Sequence, residues 1–203
     1  MSRLMAAIYD WFMRDAEQAC LAGWRAELLA DLRGEVLDVG AGTGANLAHY
    51  PEGVRVVLAE PDPHMRDKLA ARPEVVASRF TVIDAPIERL PFADARFDAV
   101  VCTLVLCSVE DPARALAEIR RVLRPDGQLV FLEHVAAHDH GRRAWQGRIE
   151  PFWRRVAGNC HLTRETGETL RAAGFVVDDE RRESMRKAVP WVRPSIRGVA
   201  RRA

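Results

Sequence analysis

The chain has 203 residues and carries 30 basic against 29 acidic side chains, a formal net charge of +1. That length fits one domain of common size and excludes a (β/α)8 barrel, which takes about 250 residues. With 48% hydrophobic and 29% charged residues it is composed to bury a core, and its balanced charge gives no reason to expect a nucleic acid partner.

The elements follow in chain order. Leu4, Ile8, Trp11 and Phe12, then Leu21, Trp24, Leu28 and Leu32, stand at helical spacing, which predicts one or two amphipathic helices ending at Gly34. Glu35 to Val39 is a buried strand running into the glycines Gly40, Gly42 and Gly44, with a short helix expected over Ala45 to His49. Strands are predicted at Val54 to Glu60, Arg79 to Ile83, Phe97 to Thr103 and Gln128 to Glu133, and helices at Pro63 to Ala71 and Pro112 to Leu123, with a turn at Pro125 to Gly127. Strands alternating with helices mean crossover units on a parallel sheet. Beyond His134 the pattern predicts an aromatic helix over Trp145 to Val156 and a helix from Thr163, its N-cap, to Ala173. Two more strands, Phe175 to Asp178 and Ser195 to Val199, are expected at the sheet edge.

Cys20, Cys102, Cys107 and Cys160 form no CxxC pair and no dense framework. The expectation is therefore reduced thiols acting as buried apolar filler in a cytoplasmic protein, without a metal site. The longest apolar run, Ala99 to Val109, is too short to span a bilayer, and no targeting segment is recognisable.

Gly40, Gly42 and Gly44 between a strand and a helix let the backbone turn tightly and approach a ligand closely. Glu60 lies 20 positions after Gly40, at the end of the next strand, where a carboxylate can accept from both hydroxyls of a ribose. Together with Ala45 these glycines also satisfy the dinucleotide pattern, so nicotinamide binding is a rival on the loop alone. Asp38 separates the two. A carboxylate inside a strand end is costly unless it is hydrogen-bonded or meets a cationic ligand. S-adenosylmethionine offers an ammonium and a sulfonium, whereas a pyrophosphate would be repelled. Asp84, followed by Ala85 after the third strand, is placed to accept from an adenine amino group.

The set formed by Val36 to Gly44, Ala59 to Asp62, Ile83 to Pro86, Leu90 to Val101 and Arg121 to Gly127 resembles the class I S-adenosylmethionine-dependent methyltransferases in order and spacing. The resemblance implies an α/β, Rossmann-like doubly wound seven-stranded sheet with an antiparallel last strand and an N-terminal helical lid. It divides a single domain, 1–203, into helices over 1–34, a cofactor-binding core over 35–135 and acceptor-side helices and terminal strands over 136–203. Tyr9, Asp38, Gly40, Ala41, Gly42, Glu60, Pro61, Asp84, Ala85, Thr103 and Leu104 are the residues it assigns to the methyl donor.

Outside these motifs, Val101 to Val109, Leu132 to Val135 and Asn159 to Glu165 look like the corresponding stretches of methyltransferase-like proteins that methylate small lipophilic thiols in animals, and of bacterial relatives grouped with ubiquinone and phospholipid methyltransferases. The expected acceptor is a small, fairly apolar thiol. The alternative is O-, N- or C-methylation of a natural product or of a quinone or lipid precursor, and a fold that has lost turnover is a further rival. No N-terminal membrane anchor of the animal kind is recognisable, which bears on membrane residence and not on chemistry. A thiol is partly ionised near neutral pH and needs modest help, for which His134 and His161 are the expected groups. Asp10, Cys107, Trp145, Phe152 and Trp153 are the expected acceptor-side residues. The overall charge balance conceals a basic end: residues 181–203 hold eight Lys or Arg against one acid, Glu183, so weak contact with a membrane surface is open to this edge.

Overall fold

The structure, a computed structural model, describes residues 3–77 and 80–203. Helix α1 (Arg3–Ala16) passes through a π turn (Glu17–Leu21) into α2 (Ala22–Leu29). The crossover part comprises β1 (Glu35–Val39), β2 (Arg55–Ala59), α3 (Pro63–Ala70), α4 (Pro73–Val76), β3 (Phe80–Ile83), β4 (Phe97–Thr103), α5 (Pro112–Val122) and β5 (Leu123–His134). Helices α6 (His140–Val156) and α7 (Thr166–Ala172) then lead to β6 (Phe175–Ser184) and β7 (Pro194–Arg202). The side chain of Leu4, and Arg79 at the start of the predicted third strand, lie outside what is described.

The seven strands run in the order β3-β2-β1-β4-β5-β7-β6. The first five are parallel to their neighbours, and β7 pairs antiparallel with both β5 and β6. This is the expected doubly wound sheet. Because β1 lies between β2 and β4, the chain reverses its winding there, and a crevice opens beyond the carboxyl ends of β1 and β4. Alternation along the buried strands supplies both faces. Leu37, Val39, Val100 and Cys102 pack with Leu116 and Ile119 of α5, whereas Val36, Leu58, Val101 and Val130 pack with Leu29 and Leu32. No helix among the described residues is long and apolar enough to cross a membrane.

Several local expectations are corrected. Ala45 to His49 is not an α-helix but turns closing in one 3-10 turn, Leu47–His49, because the Asn46 side chain is drawn into a buried polar network. The turn at Pro125 to Gly127 is a bulge within β5, where Phe97 pairs with Leu123 but Ala99 with Gln128. Helix α6 starts earlier than Trp145 because Asp139 caps it, accepting from the Arg142 amide at 2.8 Å. Thr163 does not cap α7. Its amide and hydroxyl both donate to Glu150 of α6, at 2.8 and 2.7 Å, and the helix begins at Thr166. Strand β6 runs on through the charged stretch to Ser184, an edge whose side chains pair with β7 through Arg197–Glu183 and Arg201–Asp178.

Part of the motif set turns out to be scaffold. Arg121 donates to the carbonyls of Leu90 and Phe92 at 2.9 and 2.7 Å and to the carboxylates of Glu118 and Asp94, clamping the Leu90 to Asp94 loop on α5. Replacing Arg121 by Met strands two main-chain acceptors and should cost about 2–3 kcal/mol in urea unfolding, and Lys, which cannot fork to four partners, should recover less than half of that. Loss below about 0.5 kcal/mol in Arg121→Met would show the clamp to be superficial.

Candidate functional site

The site grows from the glycine turn at the end of β1. Gly40 and Gly42 both have positive φ, +62° and +58°. A Cβ on Gly40 would stand 2.6 Å from Val105, so that glycine serves the packing of the turn against the loop after β4. A Cβ on Gly42 would meet only the Gly40 carbonyl oxygen, at 3.9 Å; the volume beside it is left open for a ligand. The Gly42 amide donates to Glu60 at 2.8 Å and the Asp62 amide donates to its other oxygen at 2.9 Å, which fixes the carboxylate at the end of β2. Each oxygen keeps a lone pair for a further donor. Burial raises the Glu60 pKa, against the two amides that lower it.

Beneath the turn, Asp38 is buried, with one oxygen accepting from Asn46 at 3.0 Å and from Tyr50 at 2.8 Å and the other without a partner. Arg25, 4% exposed on the inward side of α2, joins the network by donating to Asn46 and Thr103, at 2.7 and 2.8 Å, and to Glu17. Burial pushes Asp38 up to about 6 in spite of its hydrogen bonds, and it raises the Tyr50 hydroxyl as well. An orphaned carboxylate oxygen, an open space at Gly42 and a held carboxylate at Glu60 fit a ligand with a ribose and positive charge.

From this turn a cavity of about 740 Å³ extends across the sheet end, within the size range of small-molecule sites. Gly40, Gly42, Glu60 and Pro61 line one end; Tyr9, Phe12 and Met13 of α1 cover it; Cys107, His134, Trp153 and Cys160 line the other end with Met185, Val189 and Val192, and Leu104 stands between. Burial raises the Tyr9 hydroxyl. Leu104 has φ +60°, a strained conformation at the junction of the two ends. Its successors are held by Glu133, fully buried, which accepts from the amides of Val105, Leu106 and Cys107 at 2.8, 2.9 and 3.3 Å. At the far end, His134 Nε2 lies 2.7 Å from Cys160 Sγ, the Trp153 indole N–H donates to the same sulfur at 3.2 Å, and Cys107 adds its thiol to the group. The proximity of the two thiols lowers Cys160 and raises Cys107.

Other expected site residues stand elsewhere. Asp10 is not on the cavity wall; it accepts from Thr43 Oγ1 and pairs with Lys68 at 3.1 Å, fastening α1 to the glycine turn. Asp84 is exposed and paired with Arg66 at 3.0 Å, while Arg66 also holds the Glu60 and Pro61 carbonyls. Ala41 and Ala85 are buried in the core clusters, and Thr103 accepts from Arg25 and Asn46. Trp145, 41% exposed, meets Trp191 edge-on, and Phe152 is 66% exposed. His161 is also off the cavity wall, its ring beside Glu150 at 3.6 Å and its pKa lowered by burial, but its amide donates to the Cys107 carbonyl at 2.8 Å. Cys160, Arg25 and Glu133 are among the residues that sequence reasoning missed. For Arg25 a signal existed, since it shares a helix face with the buried Leu21 and Leu29, where a cation needs a buried partner.

Comparison with known proteins bears on the family of the chain. The profile of a methyltransferase domain family matches residues 37–131. The chain is 44% identical over 173 residues to human thiol S-methyltransferase TMT1B, covering 81% of this chain and 69% of that protein, and 39% identical to human thiol S-methyltransferase TMT1A, covering 81% and 69%. Among solved structures, the [4+2]-cyclase SpnF superposes with a TM-score of 0.73 at 23% identity, over 90% of this chain and 79% of that one, which is a likeness of fold alone.

Asp38 gives the site a pH signature. Its folded-state pKa, about 6, lies above the ordinary 3.8, so the fold favours the protonated form; the penalty for ionising it is absent below about pH 4 and complete above about pH 6. Urea unfolding between those pH values should show about 2–3 kcal/mol of stability lost by the ligand-free native chain relative to Asp38→Asn. Parallel profiles for the two chains would contradict this.

Proposed function

This chain belongs to the methyltransferase domain family, and from that premise we propose that it is a single methyltransferase domain, residues 1–203, that moves the methyl group of S-adenosylmethionine to the sulfur of a small, fairly apolar thiol. The observation that carries the proposal is one continuous cavity with a polar end at Gly40, Gly42 and Glu60 and an apolar end closed by Trp153, Val189 and Val192 around two thiols and an imidazole. The relatives named as thiol S-methyltransferases support the accepting atom.

S-adenosylmethionine supplies a methyl on a sulfonium, already a good electrophile. The protein's task is therefore to bind, align and exclude water. Glu60, oriented by two amides, receives the ribose hydroxyls, and Gly42 lets the backbone come close. Asp38 keeps negative charge under the turn, which a cationic ligand stabilises in ionised form. Tyr9, Phe12 and Met13 roof the cavity, with α1 held down through Asp10. The acceptor sulfur is directed to the wall formed by Cys107, His134 and Cys160, and its apolar body to Trp153 and Val192. The enzyme works in the reducing cytoplasm, in keeping with four free buried cysteines, with its basic C-terminal edge available to a membrane surface.

A screen in which the purified chain, S-adenosylmethionine and alkyl or aryl thiols are compared with quinols, phenols and amines by mass detection should give methyl thioethers and S-adenosylhomocysteine. Turnover confined to a quinol, phenol or amine would overturn the thiol assignment.

A further inference from the structure

Cys107, His134 and Cys160 come from three separate segments, the loop after β4, the end of β5 and the loop after α6, yet their ligand atoms all lie within 4.8 Å of one another. All three are buried and all three line the cavity. Two sulfurs and one imidazole nitrogen are the donor set of a soft, borderline divalent cation, and three protein ligands with one side open are the signature of a catalytic rather than a structural zinc site. The edges of a tetrahedron around zinc are about 3.5–4 Å with these ligands, so closing on an ion moves the outermost pair inward from at most 4.8 Å and opens the His134–Cys160 hydrogen bond, 2.7 Å long, by most of an ångström.

The surroundings brace Cys107 and Cys160, whereas the other ring nitrogen of His134, Nδ1, is buried without a partner. Glu133 fixes the Cys107 amide, the His161 amide holds the Cys107 carbonyl, and Arg164 donates to the carbonyls of Leu106 and Val109 and so braces the same loop. The Trp153 N–H to Cys160 Sγ is the outer hydrogen bond that a metal-bound thiolate takes. From this geometry we infer that Cys107, His134 and Cys160 bind one Zn²⁺, with the fourth position facing the cavity and open to the acceptor sulfur.

The inference rests on the thiol reading for its role and not for the ion itself. A thiol entering the fourth position coordinates as thiolate and releases its proton to solvent. The thiolate lone pair forms the new bond to the methyl carbon while the carbon–sulfonium bond breaks, its electron pair remaining on the donor's sulfur. The products are a neutral thioether, a poor zinc ligand that leaves, and S-adenosylhomocysteine.

The test is metal content and cobalt spectroscopy of the full chain. Protein prepared with zinc should retain about one ion per chain after dialysis, and Co²⁺ in its place should show thiolate-to-metal charge transfer and the strong d–d bands of a tetrahedral site. Cys107→Ser and Cys160→Ser should each weaken Co²⁺ binding at least about tenfold, while calorimetry with S-adenosylhomocysteine shows the donor end and the fold unchanged. Adding butanethiol should shift the d–d bands. A native chain that binds neither ion, or cobalt spectra indifferent to both substitutions, overturns the site. Thiol methylation by metal-free protein overturns its role while leaving the thiol assignment standing; a zinc-binding chain that methylates only quinols or amines leaves the ion and overturns the thiol.

Discussion

A carboxylate shut away from water holds the two halves of the cavity together. Glu133 is fully buried near the end of β5 and accepts three consecutive main-chain amides of the loop that follows β4. Burial drives its pKa up, and the amides offset that by favouring the ionised form. Were the carboxylate removed, three donors would be stranded in the interior, each at a cost of about 1–3 kcal/mol. That loop carries the strained Leu104 where the two ends meet and Cys107 at the acceptor side. One side chain thereby fixes the loop that joins the two ends of the cavity.

A second buried network does the same work under the glycine turn. Arg25 brings a positive charge from the N-terminal helices to Asn46 and Thr103, and Asn46 passes a hydrogen bond to Asp38. The π turn between α1 and α2 supplies Glu17 as its counter-ion. The helices before the sheet thus meet the cavity and the glycine turn at two depths, with Arg25 inside and Asp10 fastening the roof outside. Loss of positive charge at Arg25 would leave Glu17 without its counter-ion and remove the cation that favours the ionised form of Asp38.

Much of this was legible in the residues. The alternation of strands and helices sets the sheet, the glycines fix the turn, and Glu60 stands where a strand end must present it. What escaped depends on contacts between distant segments. Ligand spacing rules find cysteines that are neighbours in sequence, and Cys107 meets Cys160 because the loops after β4 and α6 are stitched by the His161 amide and the Asn159 and Arg164 side chains. Asp84 looked free to receive a ligand because nothing local announces that Arg66, one helix earlier, pairs with it. The charged stretch after Val177 did not read as a strand because its order comes from cross-strand ion pairs rather than from a buried face.

The central claim is that donor and acceptor occupy opposite ends of one cavity and meet at Leu104. A crystal structure of the chain with S-adenosylhomocysteine tests it most directly. The expected result is a ribose on Glu60 and a product sulfur that looks past Leu104 toward Cys107, His134 and Cys160 with no protein atom between. A sulfur turned away from that wall, or a nucleoside bound off Glu60, would contradict it.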